Sequence, residues 1–168
     1  MFSRSVSLLL FAAMAIAQPA PEKKLQPGEY DPYNEVVKDI NTTNFSKALA
    51  DLDAWSAKFP DSDYKDDRTA FYVQAYAATN QPAKALDAAS GLLARDLNTV
   101  FPGPAGQATI VRFLYNVVYA ISHSPNPSAE AMATGAKAAR RARAIPAAGR
   151  AAGERRSLLP SWPVFRHW

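Results

Sequence analysis

The chain has 168 residues, no cysteine and a net charge of +4 at pH 7. The lack of cysteine excludes thiol catalysis, iron–sulfur clusters and cysteine-ligated zinc, and packing alone must stabilise the fold. The charge is uneven: residues 18–138 carry 11 basic and 14 acidic side chains, whereas residues 139–168 carry 7 basic and 1 acidic. The basic total therefore does not indicate a nucleic-acid partner.

The first 17 residues have the pattern of a cleavable secretory signal peptide. Arg4 precedes an apolar run over 6–16, and Ala15 and Ala17 place cleavage before Gln18. The run has 11 residues, whereas a membrane span needs roughly 20, so an uncleaved anchor is only the alternative. Gln18 stands where a lipoprotein needs cysteine. We therefore expect an exported, soluble protein, periplasmic or secreted, with no membrane span after cleavage.

Residues 18–32 contain four prolines and are predicted to form an extended linker. Helical periodicity begins near Tyr33, and a domain over 33–143 follows. Further helices are predicted at about 45–58, 66–79, 82–94, 108–122 and 128–143. The segment 97–107 is the longest break, and the helix after it is the most apolar and should be central. Six helices joined by short turns predict an all-α fold of three stacked antiparallel hairpins.

The second predicted helix resembles the second half of a tetratricopeptide repeat, through Phe45, Ala48, Leu52, Trp55 and Pro60. That family prefers alanine where Trp55 stands, so we expect the bulky indole to splay the helix pair. A second candidate repeat over 66–97 carries these matching residues: Tyr72, Val73, Tyr76, Ala85, Ala89 and Leu92. From Ala48 to Ala85 the offset is 37 residues, against a family period of about 34. An unrelated six-helix bundle is the alternative.

The resemblance, which is to exported bacterial proteins of this type, implies a short solenoid whose concave face takes an extended peptide or a partner helix. The implied repeat-packing residues are Phe45, Ala48, Leu52, Trp55, Pro60, Tyr76, Ala85 and Ala89. The implied concave-face residues are Asn34, Lys38, Arg68, Tyr72, Gln74, Arg112, Tyr115 and Asn116. Each of these could equally be an ordinary core or surface residue.

Catalytic and metal-binding patterns are missing from the sequence. His123 and His167 have no second ligand at helical spacing, so no zinc motif is present. The acidic cluster over 61–67 lacks the glycine and glutamate of a calcium-binding EF-hand loop. We expect its aspartates to cap and charge the start of the third helix. No cofactor and no small-molecule ligand are indicated.

The tail over 144–168 is rich in arginine and proline and ends in aromatic residues. It could be an interaction segment for membrane or an acidic polymer, a poorly ordered end, or an out-of-frame end. For the whole chain we expect an exported, non-catalytic helical-repeat scaffold that binds protein or peptide. The alternative is a factor in cell-envelope assembly or associated with the cell wall, and an enzyme is the least favoured class.

Overall fold

In the computed structural model, residues 23–145 are described, and they form seven helices and no strand. The helices are α1 (Tyr30–Asn41), α2 (Phe45–Lys58), α3 (Lys65–Ala78), α4 (Pro82–Ala94), α5 (Leu97–Val100), α6 (Gly103–Ser122) and α7 (Ala129–Ala144). α1 pairs with α2, α3 with α4, and α6 with α7. This confirms the predicted all-α fold, and the packing of the hairpins is consistent with a short solenoid.

The segment predicted as the longest break is partly helical. Asp96 caps the four-residue α5, because its carboxylate accepts a hydrogen bond from the backbone N–H of Asn98 (3.1 Å). α6 then begins at Gly103, five residues earlier than expected. Pro104 lies in its first turn, where the missing N–H has no intrahelical partner to lose. The segment predicted as a break therefore contains the first turn of α6.

α1 also begins earlier than predicted, at Tyr30, so the end of the expected linker is folded. Glu29, just before it, is fully buried. Its carboxylate accepts hydrogen bonds from the indole Nε1 of Trp55 (2.7 Å) and the backbone N–H of Gln26 (2.8 Å). Burial would raise the pKa of Glu29, but hydrogen bonds, the first from Ser62, outweigh it and lower the pKa. The segment before α1 thus belongs to the packed domain.

In two hairpins, a residue with positive φ follows the end of the first helix. Thr43 follows α1 with φ +58°, and Asn80 follows α3 with φ +56°. This left-handed conformation stops a helix, and asparagine tolerates it better than most residues. Two of the turns suspected from the sequence therefore have a backbone reason for their position.

Two apolar clusters form the core. One joins α1, α2 and one face of α3, around Val36, Leu52 and Trp55. The other joins α3 to α7, around Leu93 and Phe113. α3 contributes to both clusters, and α6 packs against α3, α4, α5 and α7. These two helices therefore connect the hairpins, and the groove described below lies between them.

The residues predicted to pack the repeats lie at or next to these clusters. Fully buried are Ala48, Leu52, Trp55, Ala85 and Ala89. Half-buried against them are Phe45 and Tyr76, whereas Pro60 is exposed just after α2. The indole of Trp55 meets the ring of Tyr33 edge to face, with 5.7 Å between ring centroids. The guanidinium of Arg68 lies 5.3 Å from the centroid of the same indole. The indole therefore fills space between α1 and α3.

The described residues contain no helix that is both long and apolar enough to cross a membrane. The predicted signal peptide with Ala17 and Gln18 lies outside the described residues, as does His167. So does the tail beyond Ile145.

Candidate functional site

A small groove lies between α3 and α6, with a cavity of about 20 Å³ that opens to solvent. Both walls are helical, so the groove is defined by rigid elements rather than by loops. The residues that line it are Asp67, Ala70, Phe71 and Gln74 from α3, and Thr109, Arg112 and Phe113 from α6. Apolar and polar side chains thus alternate over a small area, as at sites that hold part of a larger molecule.

Gln74 is the most buried polar residue that lines this groove. Its side chain is only 2% exposed, yet its amide makes no hydrogen bond to any described residue. The amide keeps some contact with solvent, and because Gln74 lines the groove, we infer that solvent reaches the amide through it. A side-chain amide offers one acceptor oxygen and two N–H donors. Gln74 therefore presents an unused hydrogen-bonding group to whatever enters.

Arg112 supplies the positive charge of the groove. Arg112 is exposed as a whole residue, and its guanidinium forms no hydrogen bond or ion pair within 23–145. Neighbouring protein nevertheless desolvates the guanidinium. The resulting desolvation lowers the pKa of Arg112, and the charge of Asp67 opposes that effect. An arginine remains charged under these conditions, so its donors are available to an acceptor.

Asp67 is the one carboxylate that lines the groove, among the residues described. It forms an ion pair with Lys23, which belongs to the segment before α1. The ammonium of Lys23 also lies 5.3 Å from the ring centroid of Phe101 and 5.8 Å from that of Tyr64. Lys23, from the segment before α1, therefore already compensates the charge of Asp67.

Other predicted concave-face residues have different surroundings. Arg68 is buried, and its guanidinium donates to the backbone carbonyl of Phe59 (2.9 Å). Asn116 is buried and donates to the carbonyl of Arg112 (2.9 Å) within its own helix. Both side chains are therefore engaged inside the protein. A peptide could reach them only after a rearrangement.

The remaining predicted residues lie outside the groove. The Tyr72 hydroxyl donates to the carboxylate of Asp53 on α2 (2.6 Å), and burial, followed by this hydrogen bond, raises the pKa of Tyr72. Tyr115 on α6 is half exposed, at 50%, but does not line the groove. On α1, Asn34 is half-buried, and exposed Lys38 pairs with a glutamate on its own helix. Of the predicted set, the structure brings together only Gln74 and Arg112.

Helical phase explains the misplaced residues. Positions 67, 71 and 74 are separated by four and three residues, so their side chains share one face of α3. Positions 68 and 72 lie about 100° further around the helix, facing α2. Sequence reasoning missed Asp67, Phe71 and Thr109. The spacing from Gln74 would have identified the first two, whereas Thr109 needed the observed α3–α6 packing.

In the acidic segment over 61–67, Asp66 and Asp67 form ion pairs, and Asp63 accepts the backbone N–H of Lys24. Asp66 forms a bidentate pair with Arg95 (2.6 and 2.9 Å), and Asp67 pairs with Lys23. The expected capping by these aspartates is not seen, because no side chain caps α3 at its N-cap residue Tyr64. The hydroxyl of Ser62 accepts the N–H of Tyr64, which precedes the helix. Asp66 and Asp67 do lie in the first turn of α3, where negative charge is favourable.

A second group of carboxylates lies on α1 and α2, where oxygens of Glu35, Asp39 and Asp51 approach within 4.8 Å of one another. The ammonium of Lys47 lies 2.7 Å from an oxygen of Asp39 and 2.7 Å from one of Asp51. Burial opposes ionisation of Asp39, but hydrogen bonds, led by that from Lys47, lower its pKa. Lys47 thus serves as the cation of this cluster.

A second and larger groove, of about 480 Å³, lies beside α5 and the end of α7. The polar side chains on its rim are already bonded. Arg95 pairs with Asp66, Arg141 donates to the carbonyl of Arg95 (2.8 Å), and Gln107 donates to Asn98 (2.8 Å). This groove therefore offers less unused hydrogen-bonding capacity than the one between α3 and α6.

His123 has the surroundings of a surface residue. It is exposed, its ring stacks on that of Tyr119 with 3.9 Å between centroids, and its Nδ1 lies 2.9 Å from the Tyr119 carbonyl oxygen. No carboxylate approaches it within hydrogen-bond distance among the described residues.

Comparison with known proteins gives no match to a protein-family model, to a curated protein or to a solved structure. The tetratricopeptide assignment therefore rests on the sequence pattern alone.

Proposed function

We propose that this protein is an exported, non-catalytic helical-repeat scaffold that holds a peptide segment of a partner protein in the groove between α3 and α6. The observation that carries the proposal is the amide of Gln74, which is nearly buried, lines the groove and has no partner within 23–145. Leaving a buried polar group unpaired costs free energy, so such a group persists mainly where it serves a purpose.

The chemistry of the groove supports a peptide ligand. A peptide bond has one N–H donor and one carbonyl acceptor, which an amide side chain can match as a pair. Phe71 and Phe113 supply apolar surface next to Gln74, and Arg112 supplies an unpaired cation. The cavity of about 20 Å³ is far smaller than a cofactor site of roughly 300–1,000 Å³, so the groove suits surface contacts with a segment that lies across it.

Two features support the other parts of the proposal. The signal-peptide pattern supports export, and tetratricopeptide-like spacing in residues 45–97 supports a repeat scaffold. One carboxylate alone lines the groove among described residues, whereas acid–base hydrolysis on carboxylates commonly uses two.

The test is selection of peptides from a phage-displayed random library on the purified full chain, followed by affinity measurements with the selected peptides. We expect Arg112→Ala to weaken binding about tenfold, because a charged hydrogen bond contributes about 1.5–3 kcal/mol. Arg140→Ala is the matched control, since Arg140 is exposed on α7, away from the groove. A library that yields no binder, or equal affinities for the two variants, would overturn the proposal.

A further inference from the structure

The segment before α1 is tied to the domain along its length. The backbone N–H of Lys24 donates to a carboxylate oxygen of Asp63 (3.0 Å). Further on, the buried carboxylate of Glu29 accepts the indole N–H of Trp55 (2.7 Å). Both contacts fix the path of the chain, and Lys23 in this segment pairs with the groove residue Asp67. A residue of the predicted linker thus reaches the candidate site.

The position of Lys23 changes the charge balance of the groove. Its ammonium pairs with Asp67, and the side chains of the pair are 27% and 23% exposed. Such partial burial weakens solvent screening of the pair. With Asp67 compensated, the charge of Arg112 is the one left without a partner. Without Lys23, the groove would hold one carboxylate and one guanidinium and would be neutral overall.

We propose that Lys23 is a specificity-determining residue: by pairing with Asp67 it keeps Arg112 available for an acidic side chain of the bound segment. This inference rests on the proposed function of the groove. It names the class of ligand, a segment carrying aspartate or glutamate. Lys23, which sets this preference for an acidic segment, lies outside the helices that form the groove.

Electrostatic coupling between Asp67 and Arg112 explains how the effect is transmitted. The two side chains line the same groove and interact electrostatically. When Lys23 is neutralised, the closest compensating cation for Asp67 in the groove becomes Arg112. A carboxylate on an incoming peptide then competes with Asp67 for the same guanidinium, and it meets the repulsion of Asp67 as well.

The experiment compares Lys23→Gln with Lys24→Gln in the full chain, by fluorescence polarisation. The probes are three labelled alanine-based peptides of equal length, rich in glutamate, glutamine or lysine. The wild-type chain should prefer the glutamate peptide. Lys23→Gln should weaken the affinity for the glutamate peptide about two- to fivefold, as expected for loss of one partly exposed charge. The affinity for the glutamine peptide should be unchanged. Lys24→Gln should have no effect, because only the backbone of Lys24 makes a contact.

The double variant Lys23→Gln/Asp67→Asn separates an electrostatic role from a structural one. Removing the charge of Asp67 frees Arg112 again, so affinity for the glutamate peptide should return to the wild-type value. If Lys23 only held the segment in place, Asp67→Asn would not restore binding, and the inference would be wrong. Equal wild-type affinity for the glutamate and glutamine peptides would also overturn it, while leaving the scaffold proposal intact. No binding of any peptide by any chain counts against the proposed function itself.

Discussion

Replacing Gln74 with leucine should make the protein more stable and a poorer binder. The amide is 2% exposed and has no partner among the described residues, so folding removes most of its water without compensation. Leucine has a similar volume and can pack against the apolar groove residues Ala70, Phe71 and Phe113. Opposite changes in stability and binding would distinguish a functional residue from a structural one.

The expected magnitude follows from the degree of desolvation. An unpaired buried polar group costs about 1–3 kcal/mol, and the low end applies because the groove admits water to the amide. We therefore expect the free energy of unfolding of Gln74→Leu to rise by about 1 kcal/mol. For a domain of this size, that corresponds to an increase in Tm of roughly 3–5 °C.

Urea and thermal denaturation followed by circular dichroism would measure the stability, and fluorescence polarisation with a selected peptide would measure binding. Gln81→Leu is the matched control, because the amide of Gln81 donates to the hydroxyl of Thr79 (2.9 Å). Its loss should lower the unfolding free energy by up to about 1 kcal/mol and leave binding unchanged. A Gln74→Leu protein that is less stable than wild type, or that binds the peptide equally well, would refute the reasoning.

Two further predictions concern stability. Gly135→Ala puts a Cβ 2.9 Å from both Cγ1 and Cγ2 of Ile121 on α6, so it should lower the free energy of unfolding by about 1–3 kcal/mol. In Gly91→Ala the new Cβ meets nothing within 4 Å, so the same urea denaturation should show a gain of about 0.5–1 kcal/mol. Because the folded pKa of Glu29 lies below its ordinary value of 4.5, its contribution is complete above pH 4.5 and is lost as pH falls through the folded pKa. Glu29→Gln should therefore flatten the acid limb of the stability–pH curve, and an unchanged limb would contradict this assignment.

Local signals in the sequence were sufficient for the helices. The apolar stripe through Ala48, Leu52 and Trp55, the break at Phe59–Pro60 and the proline at the start of α4 each depend on neighbours within about one helical turn. α2 and α4 accordingly have the predicted ends. Where a turn residue could either stop or start a helix, as around Pro104, the local pattern was ambiguous, and the start of α6 was misplaced.

The candidate site depended on contacts between distant parts of the chain. A polar side chain on a helix can be free or bonded, and its own segment does not decide which. Arg68 is engaged by the Phe59 carbonyl, Asp67 by Lys23, and Gln74 by nothing described. The resemblance to tetratricopeptide repeats named Gln74 and Arg112 as candidates, together with six residues that do not line the groove. Only the packing of α3 against α6 placed them in one groove. The apolar periodicity of a helix can be seen in its own sequence, whereas the hydrogen-bond partners of its side chains come from other helices.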